Sequence, residues 1–133
     1  MSSLSTGGRV FRTMLNFVCH PGYDKDAAAI ERRFHDYGKG VESFKRLCEV
    51  QFHPEQPRQI IAPAKLHRRK QLETCGIWKI ELSVPGVRSN QSPRVWFAVQ
   101  GSTIAFLCAA THVDNYDDNE MDAIAAGRAT DIF

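Results

Sequence analysis

Residues 93–110, "PRVWFAVQGSTIAFLCAA", decide the fold: two apolar runs, 94–100 and 103–110, flank a Gly101-Ser102 pair. Runs this long, rich in Val, Ile, Phe and Trp and parted by two turn residues, read as antiparallel strands closed by a tight hairpin. Just upstream, "TCGIWKIELSVPG" (74–86) supplies another strand over 77–83, and "PGVRSNQSP" is the loop between them. The three runs form an antiparallel meander.

Working outward, "RVFRTMLNFV" (9–18) alternates as a first strand, with Phe11, Thr13, Leu15 and Phe17 on one side. "HPGY" reads as a turn. "DKDAAAIERRFHDYG" (24–38) then has Asp in its first turn, Ile30, Phe34 and Tyr37 at helical spacing, and Gly38 as a stop. A second helix is expected at about 41–51, with Val41, Phe44, Leu47 and Cys48 as its buried stripe. Three prolines make "HPEQPRQIIAP" (53–63) a loop, and "AKLHRRKQLETCG" (64–76) is basic. "YDDNEMDAIAAGRATDIF" closes the sequence as a helix, with Asp117 and Glu120 spaced like a capping box.

The expected fold class is therefore α+β: an N-terminal strand and two helices, a three-stranded antiparallel meander and a C-terminal helix. The helices pack on one sheet face, leaving the other free to be polar. A chain of 133 residues, 43% hydrophobic, suits a single domain over 9–133, after a Ser/Gly/Thr-rich stretch, 1–8, expected to be disordered.

The formal net charge of +2 permits nucleic acid as a partner without demanding it. No apolar run approaches the ~20 residues of a membrane helix, and the N-terminal residues lack a signal peptide's apolar core. Cys19, Cys48, Cys75 and Cys108 are scattered without a CxxC pair, so reduced thiols and a cytoplasmic location are expected. Neither Cys108/His112 nor Cys19/His20 has a usual zinc spacing, and no metal or cofactor is expected.

Period-two alternation puts Lys79, Glu81 and Ser83 on one side of their strand and Trp78, Ile80 and Leu82 on the other. In the next strand it separates Arg94 and Trp96 from Val95, Phe97 and Val99. Lys79, Glu81 and Arg94 would then share the open face, with His112 and Tyr116 at the exit of the last strand. Such a set can do phosphoryl chemistry. Arg and Lys would stabilise charge on the phosphorane oxygens. Glu81 or His112 could take the proton from a ribose 2′-hydroxyl, and His112 or Tyr116 could protonate the leaving oxygen. Each residue also has a plainer reading: Lys79 and Glu81 as solvated sheet charges, Arg94 as a loop cap, His112 as structural, Tyr116 as a hydrophobic staple.

The segments "AKLHRRKQLETCGIWKIELSVPG", "PRVWFAV" and "TIAFLCAATHVDNYDD" carry a resemblance to the RelE/ParE superfamily of toxins from bacterial type II toxin–antitoxin modules, over about residues 60–120. The shared features are Lys-Leu ahead of a Gly-aromatic-basic strand, then an Arg-Val-aromatic strand, then an apolar strand ending in His with Tyr close behind. The resemblance implies a RelE-like fold and an mRNA endonuclease, ribosome-dependent or free, neutralised by a cognate antitoxin protein.

It further implies that Arg94 is the transition-state arginine, that His112 and Tyr116 are acid/base residues, that Lys79 is the basic residue after the aromatic, and that Glu81 stands where some members place a carboxylate base. Ribosome or RNA contact falls to Lys65, His67, Arg68, Arg69, Lys70 and Arg88. The sequence departs from the pattern at Ser83, where a second basic residue is common, and in the four-residue step from His112 to Tyr116. A gyrase poison of the ParE type and a non-catalytic binding module share the fold and stay open as alternatives.

Overall fold

In the computed structural model, which describes residues 14–133, the chain runs β1 (Asn16–Cys19), α1 (Pro21–Arg33), α2 (Tyr37–Gln51), β2 (Leu66–Gln71), β3 (Gly76–Glu81), β4 (Arg94–Gln100), β5 (Thr103–Ala110) and α3 (Asp118–Ile132). Single 3-10 turns sit at Ser89–Gln91 and His112–Asp114. The expected disorder at 1–8, and the first-strand positions Phe11 and Thr13, lie outside the described residues.

The hairpin forms where the turn residues place it, with Gln100 opposite Thr103. Gly101 takes a φ of +56°, the left-handed value that a two-residue turn needs and that glycine adopts without strain. The five strands make one mixed sheet in the order β1-β5-β4-β3-β2, with β1 parallel to β5 and every other pair antiparallel.

The strand count corrects the sequence reading. "LHRRKQ" is a strand at the sheet edge, so the meander has four strands rather than three. Only Leu66 of that strand is buried, which is why no apolar alternation announces it. "HPGY" is likewise a helix start rather than a turn. His20 is the N-cap, its Nδ1 accepting from the Gly22 N–H at 2.9 Å, and Pro21 takes the first helical position.

The expectation of a free sheet face is also overturned. One face packs on α1 and α2 through Leu66, Ile80, Leu82, Val95, Phe97, Ile104 and Phe106, which meet Tyr23, Ile30, Phe44 and Cys48. The other face, with Ile77, Trp96, Ala98, Ala105, Leu107 and Cys108, is covered by α3 through Ala125 and Ala129. The reason is visible in β5: from Ile104 to Ala110 every residue is buried, as in a strand enclosed on both faces. The small side chains of α3 allow it to lie close.

A bulge at Leu107 resets the alternation of β5. Trp96 pairs with Cys108 while Phe97 pairs with Phe106, so Leu107 and Cys108 both face α3. A second irregularity lies between Arg68 and Lys70 in β2.

Candidate functional site

The polar groups singled out by alternation meet beneath the N-terminus of α3. Glu81 and Arg94 end β3 and begin β4, directly opposite each other, and their side chains approach to 3.9 Å. Arg94 also donates to the Ser92 carbonyl, which ties it to the incoming loop. Its other cross-strand neighbour is Ala110, too small to cover the guanidinium.

Tyr116 reaches the same place through the turn after β5. Thr111 and Asp114 exchange capping bonds, with the Thr111 N–H donating to Asp114 Oδ2 at 2.7 Å, and Asn115 takes a left-handed φ of 49° that folds the chain back. The Tyr116 ring then stands edge-on to Trp96, 5.6 Å between centroids at 87°. Burial raises the Tyr116 phenol above its ordinary pKa; Arg94 pulls it back, and the carboxylates of Asp118 and Glu81 push it up further. The phenol therefore stays protonated at neutral pH.

Lys79 is not on an open surface, as alternation alone suggested, but buried under α3. Its Nζ lies 3.1 Å from Asp118 Oδ2 and 5.7 Å from the Trp96 ring centroid. The second oxygen of Asp118, Oδ1, is buried without a hydrogen-bond partner. One turn further along α3, Asp122 accepts from Trp96 Nε1 at 2.9 Å and from Arg69 Nε and Nη2 at 3.0 and 2.9 Å. Burial by itself would raise the Asp122 pKa, but the hydrogen bonds from Arg69 and Trp96 outweigh it and hold the carboxyl below the usual range.

A cleft of about 340 Å³ adjoins the cluster at Tyr116, between α1, α3 and the half of β5 that β1 does not pair. Arg33 and Arg128 line it, with Asp26, Asp114 and Met121. Arg33 donates to Thr111 Oγ1 at 3.0 Å, and Arg128 bridges the Leu107 carbonyl at 2.8 Å and Asp26 at 3.2 Å.

Lys79, Glu81, Arg94 and Tyr116 are thus brought together. His112 does not join them: it is exposed in its 3-10 turn, where its carbonyl accepts from the Asn115 N–H, and its imidazole makes no hydrogen bond or ion pair among the described residues. The basic run is divided. Arg69 turns to Asp122 on the α3 side, whereas Arg68 lies over Trp78 on the opposite face, 5.5 Å from the ring centroid. His67 bonds the Ala64 carbonyl at 2.7 Å, Lys65 is half-buried, and Lys70 and Arg88 are exposed.

All four cysteines are free, and burial pushes the Cys108 thiol up to about 12. Among the described residues no three His, Cys, Asp or Glu side chains gather as a metal-ligand set would. No described helix is long and apolar enough to cross a membrane.

The sequence reading missed Asp118, Asp122, Arg33 and Arg128. A signal existed for the first two: Asp118 and Asp122 are one helical turn apart and present two carboxylates to one side of α3. It had meaning only once α3 was known to lie on the face carrying Lys79 and Trp96. No protein-family model, curated protein or solved structure matches the chain.

Proposed function

We propose that the chain is a toxin-type endoribonuclease that cleaves mRNA by 2′-hydroxyl attack and is neutralised by a cognate antitoxin protein. The observation that carries this reading is the convergence of Glu81, Arg94 and Tyr116. It brings together an acceptor, a fixed cation and a phenol kept protonated, beside a cleft that offers two further guanidiniums. The resemblance over residues 60–120 supports the same chemistry.

In this mechanism Glu81 takes the proton from the ribose 2′-hydroxyl as that oxygen bonds to phosphorus. Arg94 stabilises the negative charge growing on the non-bridging oxygens, with Lys79 behind it. Tyr116 gives its proton to the 5′-oxygen as the P–O bond breaks. The products are a 2′,3′-cyclic phosphate and a 5′-hydroxyl end. The substrate must be RNA, because the nucleophile is the 2′-hydroxyl. His112, which the sequence offered as base or acid, has no part in this scheme.

One observation favours a second reading, a non-catalytic binding module. Lys79 is engaged by Asp118 and Tyr116 packs on Trp96, so both also fasten α3 to the sheet. Inducible expression of the chain and of Arg94→Ala, with mapping of new mRNA 5′ ends, separates the two. The nuclease reading expects growth arrest and new 5′-hydroxyl ends, both lost in the variant. Normal growth with intact transcripts would leave the binding module.

A further inference from the structure

At the far end of β3 from this cluster, on the face that meets α1 and α2, lies a second cleft of about 330 Å³, lined by Phe52, Arg68, Gln71, Glu73, Trp78 and Gln100 among others. At its centre an arginine lies over an indole. The Arg68 guanidinium lies 5.5 Å from the Trp78 centroid and donates to Gln71 Oε1. Gln71 is itself fixed, its Nε2 donating to the carbonyls of Leu72 at 2.8 Å and Cys75 at 3.2 Å in the β2–β3 turn. Phe52 meets Trp78 edge-on at 5.3 Å and braces it.

An exposed arginine normally sweeps many rotamers, and contacts with Trp78 and Gln71 narrow that choice for Arg68, which lowers the entropy cost of binding. It lies over the indole on one side and is exposed at the cleft on the other. A guanidinium so presented is a stacking platform for a nucleobase, and its charge suits the adjoining phosphates. Glu73 and Gln100 on the rim supply an acceptor and an amide for a base edge.

We propose that this cleft takes one unpaired base of single-stranded RNA, stacked on the outer face of Arg68. The ligand class rests on the ribonuclease reading; the binding itself is separable from cleavage. Among the described residues β2 is an edge strand, so a strand of RNA can pass over it, beside exposed Lys70, from this cleft toward the Glu81–Arg94 end. Arg68 pairs with Trp78, three residues from Glu81 or roughly 10 Å along β3, and on the other sheet face, which places the stacked base a few nucleotides from the scissile bond.

Tryptophan fluorescence tests this directly, because Trp96 is fully buried and Trp78 is the indole beside the cleft. The full chain is titrated with a short single-stranded oligonucleotide of 2′-O-methyl riboses, which cannot be cleaved by 2′-hydroxyl attack, and with the same backbone lacking bases. The expected result is a saturable quench that is about fivefold to a hundredfold weaker without bases. Arg68→Ala and Arg68→Lys should both lose it, the second because it keeps the charge but not the plane. Equal binding by the baseless backbone, or an unchanged quench in Arg68→Lys, would overturn the proposal and leave the Arg68–Trp78 stack as a cover for the ring. A base-dependent quench in a chain that never cleaves RNA would retain this site and remove the nuclease reading; cleavage without any quench would do the reverse.

Discussion

Asp122 is a small residue with three duties. It accepts from the buried indole of Trp96, pairs with Arg69 from the edge strand, and fastens the middle of α3 to the sheet. Breaking a buried pair leaves its partners unpaired, so Asp122→Ala should cost about 3 kcal/mol in chemical denaturation. The pH dependence has a definite sign. The folded carboxyl is held below its usual range, so its stabilising effect is complete above the unfolded value of about 4 and fades as pH falls through the folded value. The stability gap between the wild type and Asp122→Asn should therefore narrow on acidification below about pH 4. A gap that stays constant down to pH 2 would show that the charge contributes nothing.

At the same scale, Tyr116 and His112 divide the two acid candidates. Tyr116→Phe keeps the ring on Trp96 and removes only the proton, and should slow RNA cleavage by about 10² to 10⁴. His112→Ala should leave the rate within a few-fold. The reverse ranking in a single-turnover assay would return His112 to the mechanism.

Among the elements, legibility followed burial pattern. β4 and β5 appear with the bounds that the apolar runs around Gly101-Ser102 suggest, because both local turn chemistry and hydrophobic content act on the same residues. β2 escaped notice because an edge strand with one buried side chain carries no periodic signal. The position of α3 was illegible for a different reason. Its alanines have no strong stripe of their own, and only the unbroken burial of β5 implies a second covering layer. The same oversight made Lys79 look solvent-facing and hid its partner Asp118. The close approach of α2 to the sheet was equally invisible in sequence: a Cβ on Gly40 would stand 2.6 Å from the Ser83 carbonyl oxygen. Gly40→Ala should gain ~1 kcal/mol of helix propensity yet lose more to overpacking against backbone that cannot yield, about 1–3 kcal/mol. A urea midpoint above the wild type's would contradict that tight packing.

For the whole molecule, the sheet is a divider with chemistry at opposite ends and on opposite faces. The α3 side holds Glu81, Arg94 and Tyr116, beside a cleft that lies between α1 and α3, and the α1/α2 side holds the Arg68–Trp78 contact. Residues sharing one basic run in sequence, Arg68 and Arg69, are parted by strand pleat and by the irregularity in β2, so charge counts along the chain said little about where RNA would lie. The account's central claim is that a side-chain cluster at the β3–β4 junction breaks a phosphodiester through the neighbouring 2′-hydroxyl. The most direct measurement is cleavage of an RNA oligonucleotide, in chelator and with ribosomes supplied, by the wild type and by Arg94→Ala, beside a substrate carrying one 2′-deoxyribose at the cut position. The account predicts 5′-hydroxyl products from the wild type, a rate at least about 10² lower for the variant, and no cut at the deoxy position. Undiminished cleavage at the deoxy position, or by Arg94→Ala, would contradict it.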